Sequence, residues 1–175
     1  MTAIFTVLSW LEKHTVGGEA LFSFFAQLLA LIPGLPGSYL RSAYYFGTLD
    51  RCSWETHIGL GSLFTHRRSA MGTRASMGSY CIIGHAQIGE EVMMGSRVSV
   101  PSGRRQHLDD SGRLTSATIY ETVAIGDRTW VGEGAVIMAN VGKDCIVSAG
   151  AIITKRMPDR CVIGGNPGRV IKELS

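Results

Sequence analysis

Between Met71 and Val100 an aliphatic or Met residue followed by Gly recurs at Met71-Gly72, Met77-Gly78, Ile83-Gly84, Ile88-Gly89 and Met94-Gly95, in steps of six, six, five and six residues. That period fits neither an α-helix nor the strict alternation of a hairpin sheet, and short repeats of this kind mark a parallel β-helix. Each hexad forms one flat side of a coil. The leading residue points inward, the Gly after it tolerates unusual backbone angles, and the small or branched residue in fifth place (Ala75, Cys81, Val92, Val98) fits the cramped interior corner. Three sides make a coil of about eighteen residues, stacked at roughly the 4.8 Å spacing of neighbouring strands. The repeat resumes at Ile125-Gly126, Val131-Gly132, Val141-Gly142 and Val147-Ser148, with Thr129, Ala135, Cys145 and Ala151 in fifth place. Ile137 and Ile153 lead two further sides that lack the Gly.

A chain of 175 residues suits one domain with a small appendage. The hexads divide it into a helical cap over residues 1–52, a β-helix over 53–160 with an excursion loop at 102–122, and a tail over 161–175. In the cap, Ile4, Val7, Leu8 and Leu11 follow one helical face, and a second apolar run goes from Ala20 to Ile32 before Pro33-Gly34-Leu35-Pro36-Gly37 stops it. That run is too short to cross a bilayer, which takes about 20 residues, and it lacks the basic lead of a signal peptide. Residues 38–52 read as a second short helix, and Trp54 as a plug for the open end of the first coil, which begins near Ile58. The apolar cap has two readings: a cover for the β-helix or for a subunit interface, and a helix resting on a membrane surface through residues 1–36.

Charged residues make up 18% of the chain with a net charge of +3, too few and too scattered for a nucleic-acid-binding stripe. Cys52, Cys81, Cys145 and Cys161 form no CxxC pair, and Cys81 and Cys145 fall on inward positions, so a reducing cytoplasm fits and neither disulfide nor metal site is expected. Numbering the sides places chemistry. If Ile58, Phe64 and Met71 lead the first coil, Met77, Ile83 and Ile88 lead the second and Met94 and Val100 open the third. His66 and His85 then stack, with Ser102 in the equivalent place above, where the repeat stops. Residues 102–122 are polar and non-periodic, and a long excursion from a rigid scaffold usually carries function. Within it His107, beside Arg104, Arg105, Asp109 and Asp110, is the candidate general base, because imidazole titrates nearest neutrality.

The hexads, the loop segment Gln106-His107-Leu108-Asp109, the segment Trp130-Val131-Gly132-Glu133-Gly134-Ala135-Val136-Ile137, the segment Ala149-Gly150-Ala151-Ile152-Ile153-Thr154-Lys155 and the ending Gly165-Asn166-Pro167-Gly168-Arg169-Val170-Ile171 resemble the hexapeptide-repeat acyltransferases. The similarity covers residues 58–172 and is greatest to sugar O-acetyltransferases of the galactoside, maltose and nodulation-factor type and to exopolysaccharide-pathway relatives. It implies a left-handed parallel β-helix, an exception to the usual right-handed crossover, assembled as a homotrimer with active sites between subunits. It implies acetyl-CoA as cosubstrate, no metal, and a sugar or glycan hydroxyl in polysaccharide or glycolipid synthesis as acceptor. His107 matches the family's general base. Glu133, Ala149, Thr154, Lys155, Arg169 and Lys172 match its donor-binding positions, where Lys155, Arg169 and Lys172 suit the phosphates of CoA. His85, Arg104, Arg105 and Trp130 fall on the acceptor side of the cleft. The chain departs from the pattern in the spacing of four from Ile137 to Val141 and in the paired arginines, which favour an anionic or nucleotide-linked sugar, whereas the apolar cap favours a lipid-linked one. Alternatives are N-acetylation of an amino-sugar nucleotide, acetylation of serine, a zinc site of His66, His85 and His107 hydrating carbon dioxide, and a non-catalytic scaffold.

Overall fold

The leading residues of the hexads stack into three inward columns in the computed structural model, which describes residues 2–103, 107, 109, 111–116 and 120–175. On the first face Cys52, Met71, Ile88 and Ile125 pair in parallel, and single bridges continue the column through Val141 to Met157. The second carries Ile58, Met77, Met94, Val131, Val147 and Ile163. The third carries Phe64, Ile83, Val100, Ile137 and Ile153. All are buried, so each short strand contributes one fully desolvated side chain of about 1.5–3 kcal/mol to a continuous core. The result is a left-handed parallel β-helix of about six turns preceded by three helices.

Steps from the first face to the second, and from the second to the third, are six residues in every coil. From the third face back to the first they are seven (Phe64 to Met71), five (Ile83 to Ile88), twenty-five (Val100 to Ile125) and then four twice (Ile137 to Val141, Ile153 to Met157). One edge of the prism therefore absorbs every irregularity in the repeat.

The Gly after each leading residue serves a purpose other than the expected one. Its backbone is ordinary; the left-handed conformation falls two places later, at Arg74, Tyr80, Glu91, Arg97, Arg128, Asp144 and Arg160, with φ between 55° and 60°. What the Gly supplies is room. A Cβ on Gly72 would stand 2.6 Å from the carbonyl carbon of Gly89, and one on Gly132 would stand 2.5 Å from the Ala149 nitrogen. The fifth-place residues are buried, and several donate to the next coil: Ser62 Oγ to the Gly78 carbonyl (2.6 Å) and Thr129 Oγ1 to that of Gly142 (2.8 Å).

Helices α1 (Thr2–Thr15), α2 (Ala20–Ala30) and α3 (Gly34–Thr48) cover the N-terminal end. The Pro/Gly segment expected to stop the second run interrupts it only briefly: Pro33 sits at the N-cap of α3, and Pro36 occupies its first turn, where a missing N–H costs nothing. The solenoid starts one side earlier than expected, since Arg51–Cys52 pairs with Ala70–Met71. Trp54 does not plug the end. It is 60% exposed and lies on Phe46 with ring centroids 4.3 Å apart, whereas Tyr45 packs on Phe64 at 5.1 Å, beneath Tyr44, Phe22 and Leu29. At the other end Arg169–Glu173 joins the second sheet as its antiparallel edge strand against Cys161–Gly164.

Two buried arginines fasten the cap. Arg41 donates from Nε to the Ile58 carbonyl (3.0 Å) and from Nη1 to the carbonyls of Leu29 (3.0 Å) and Ile32 (2.8 Å), meeting the C-terminal end of α2. Arg67 donates to Ser9 O (2.9 Å), Gly18 O (3.0 Å) and Glu12 Oε2 (2.9 Å), with Phe22 beneath its guanidinium. Glu12 in turn accepts from the Leu21 and Phe22 amides at 2.8 and 3.2 Å, so α2 is capped by a carboxylate of α1.

Candidate active site

The irregular edge gathers the titratable side chains. His66 and His85 each stand two places after their leading residue, and the register Phe64 to Ile83 to Val100 stacks them beneath Ser102, as expected. Ser102 Oγ accepts from the His85 amide (2.8 Å), fixing that corner where the loop departs. The loop returns to the same point: the Glu121 amide donates to Ser102 O (3.0 Å) and the Val123 amide to His85 O (3.0 Å). Just before, Tyr120 lays its ring 4.3 Å from that of His66, whose Nδ1 meets Glu19 Oε2 at 2.9 Å. Thr122 Oγ1 lies 3.4 Å from the His85 ring nitrogens. Around these groups is a cavity of about 850 Å3 between the α1–α2 connection (Lys13, Gly18, Glu19), the histidine column, Arg68 and Tyr120.

His107 is exposed and stands at the neck of a small hairpin, where its carbonyl accepts from the Thr115 amide (2.9 Å). The hairpin is tightened at Asp109, whose carboxylate accepts from the Ser111 hydroxyl (2.6 Å) and the Arg113 and Ser111 amides (each 2.9 Å). Those donors hold the Asp109 carboxyl below the ordinary carboxylate range. Arg104 and Arg105, expected on the acceptor side, lie outside the described residues, as do Gln106, Leu108 and Asp110.

The expected donor positions fall on two edges. Thr154 and Lys155 line the irregular edge one coil beyond Asn140, together with Glu121 and Thr122, around a second recess of about 430 Å3. Glu133 and Ala149 lie at the corner between the second and third faces, joined by a bond from the Gly150 amide to Glu133 O (2.8 Å), with Arg97 Nη2 at 3.5 Å from Glu133 Oε2. Arg169 and Lys172 are on the edge strand, beside Gly164 and Val162. Trp130 points outward from the second face between Met93 and Ile146, 49% exposed. One protomer thus does not gather these groups into a single pocket.

Glu19, Tyr120 and Thr122 were not among the residues expected at the site. Nothing in their spacing marks them, because they come from segments outside the repeat and reach the histidine column only through tertiary packing. For the zinc alternative, His66 already takes Glu19 as its partner, and among the described residues no three His, Cys, Asp or Glu side chains are grouped to hold a metal ion.

Residues 122–155 match the family described as hexapeptide repeat of succinyl-transferase, and hexads of the same kind stand in register around all three columns of the solenoid. In sequence it is similar to a galactoside O-acetyltransferase of Lactococcus lactis, 29% identical over 90 residues, covering 50% of this chain and 43% of that protein. In structure it resembles a maltose O-acetyltransferase from Clostridium difficile, with a TM-score of 0.77, 22% identity and coverage of 90% and 87%. A galactoside acetyltransferase in complex with coenzyme A superposes with a TM-score of 0.62 at 17% identity, over 93% of this chain and 84% of that one. N-acetyltransferases are also among the matches. The chain spans less than half the length of these curated relatives, 43% of the galactoside O-acetyltransferase and 24% of the bifunctional GlmU proteins of Streptococcus pyogenes.

Proposed function

We propose that the protein is an acetyl-CoA-dependent acetyltransferase acting on a sugar hydroxyl. The observation that carries this reading is the irregular edge: a repeat kept to six residues on two edges is broken on the third where His66, His85, the His107 loop, Thr154 and Lys155 collect. Two proteins named as O-acetyltransferases, and a galactoside acetyltransferase bound to coenzyme A, support the chemistry.

In the proposed reaction His107 accepts the proton of the acceptor hydroxyl as that oxygen attacks the thioester carbonyl. The tetrahedral intermediate collapses with cleavage of the C–S bond, the new ester forms, and the proton passes from His107 to the departing thiolate. Lys155, Arg169 and Lys172 bind the phosphates of the donor, and Glu133 and Ala149 present the β-helix corner to its pantetheine arm. Because these groups occupy different edges of one prism, a donor that meets them all lies between two copies, which is the reason for proposing a homotrimer. The outer surface of the second face supplies the contact: Met93, Trp130, Ile146 and Val162 form one apolar column. An amine acceptor is served by the same geometry, so the acceptor screen includes amino sugars.

The test is calorimetric titration with coenzyme A and acetyl-CoA. The protein is expected to bind near one donor per chain, a Lys155→Ala, Arg169→Ala variant to bind more weakly, and His107→Ala to bind donor normally but transfer no acetyl group. A folded protein that binds neither form of the donor would refute the reading.

A further inference from the structure

The edge that absorbs the irregular steps also sets the charge of the cavity. In a regular hexad three residues separate the leading residue from the small one in fifth place, as Gly72, Thr73 and Arg74 separate Met71 from Ala75. Ser69 is such a fifth-place residue, its hydroxyl donating to the Gly84 carbonyl of the next coil at 2.9 Å. Between Phe64 and Ser69 there are four residues, Thr65, His66, Arg67 and Arg68. The extra residue lets consecutive arginines face opposite ways: Arg67 is buried against the cap, and Arg68 is exposed at the cavity. The other charges that line this space are already opposed. Lys13 faces Asp50 at 4.0 Å, and Arg67 faces Glu12 and Glu19 at 2.9 and 3.6 Å. Among the described residues no carboxylate stands within 4.0 Å of the Arg68 guanidinium, so one unbalanced positive charge faces the cavity of about 850 Å3.

His66, two residues before Arg68, offers a lone pair to the same space. A carboxylate only accepts, so His66 Nδ1 donates to Glu19 Oε2 (2.9 Å), and the neutral ring keeps an acceptor at Nε2. Glu19 is itself held by the Arg67 amide on Oε1 (3.0 Å), and Tyr120 covers the imidazole with ring centroids 4.3 Å apart. Three separate segments thus fix this ring, while Nε2 has no partner among the described residues. A clasp for the cap would need no such free nitrogen, and Arg41 and Arg67 already fasten it. We propose that the cavity binds a sugar carrying an acidic group, a carboxylate or a phosphate, which Arg68 holds on its guanidinium fork while a ring hydroxyl donates to His66 Nε2. The planar fork matches the oxygens of either acid, and Lys13, Asp50 and His85 on the remaining walls meet further hydroxyls. That this sugar is the acceptor rests on the transferase reading; on that reading acidic sugars are acetylated in preference to neutral hexoses.

The test is equilibrium binding of three probes to the full chain without donor, followed by saturation-transfer NMR: methyl β-glucoside, methyl β-glucuronide and glucose 1-phosphate. The parent is expected to bind at least one of the two acidic sugars about tenfold more tightly than the neutral one, and the tighter of the two names the acidic group. Arg68→Gln should bring that sugar down to the affinity of the glucoside and leave the glucoside unchanged. His66→Asn keeps an amide that can donate to Glu19 but offers nothing at the place of Nε2. It should weaken acidic and neutral sugars by the same factor, about threefold or more, with the preference intact. Thermal melting verifies that both variants are folded. A parent that binds none of the probes or shows no preference for acid, an Arg68→Gln variant that keeps the preference, or a His66→Asn variant that binds every sugar as the parent does would overturn the proposal. Sugar binding here needs no donor. A protein that binds coenzyme A without selecting acidic sugars keeps the transferase reading and loses this one, and one that selects them without binding coenzyme A does the reverse.

Discussion

Arg67 is the residue on which the cap depends most. Its guanidinium, buried and held by Glu12, two backbone carbonyls and the ring of Phe22, joins α1, the α1–α2 connection and the first coil. Only Nε lacks a hydrogen bond, with Glu19 at 3.6 Å. Removing one partner of a buried pair strands the other charge, so Arg67→Ala is expected to cost about 3–5 kcal/mol, read as a lower urea midpoint. Glu12 makes the same contact pH-dependent. Burial alone would raise its pKa, but the Leu21 and Phe22 amides and Arg67 outweigh it and hold the carboxyl below its ordinary value of 4.5. A group with a depressed folded pKa contributes stability in full above its unfolded value and loses it as pH falls through the folded one. Stability should therefore drop on acidification below about pH 4.5, and Glu12→Gln, less stable at neutral pH, should show a shallower acid limb in thermal melts.

At the scale of the elements, coil spacing is set by the Gly that follows each leading residue, not by the side chain it follows. At Gly132 the Ala149 backbone directly opposite has no flexible end to give, so Gly132→Ala should be destabilising by about 1–3 kcal/mol. Gly134 has nothing within 4 Å of a built Cβ but sits at φ +67, so Gly134→Asn should be tolerated. A comparison of the two denaturant midpoints separates close approach from backbone conformation; equal losses would contradict the packing argument. The same contrast explains what could be read in advance. Which residues point inward, and that His66 stands under His85, follows from counting, because every hexad position has a fixed direction in the coil. The purpose of the Gly did not follow, since its neighbour belongs to a coil some seventeen residues away. The cap was legible as helices but not in orientation: the period groups Ile4, Val7, Leu8 and Leu11 on one face without saying where that face points, and it is the contact of Arg67 with Ser9 and Glu12 that turns it outward. Glu19 and Tyr120 reach the site from segments with no period to count.

For the whole molecule, the division of the expected donor residues between edges makes assembly and binding one event in the proposed function. Trp130 lies in the outward column of the second face, flanked by Met93 and Ile146 and partly exposed in the single chain. If that column seals against a neighbouring prism, a charge placed there must be buried unpaired, which costs several kcal/mol at each contact. Trp130→Glu should then sediment as a monomer at concentrations where the parent is a trimer, and should lose coenzyme A binding with it, although the solenoid keeps its core and its parallel pairing. His107→Ala, altered on an exposed loop, should remain trimeric and bind donor while transferring nothing. A Trp130→Glu monomer that still binds coenzyme A as tightly as the parent would mean that one prism edge suffices, and Glu133 and Ala149 would then have to be separated from Thr154 and Lys155 in function as they are in space.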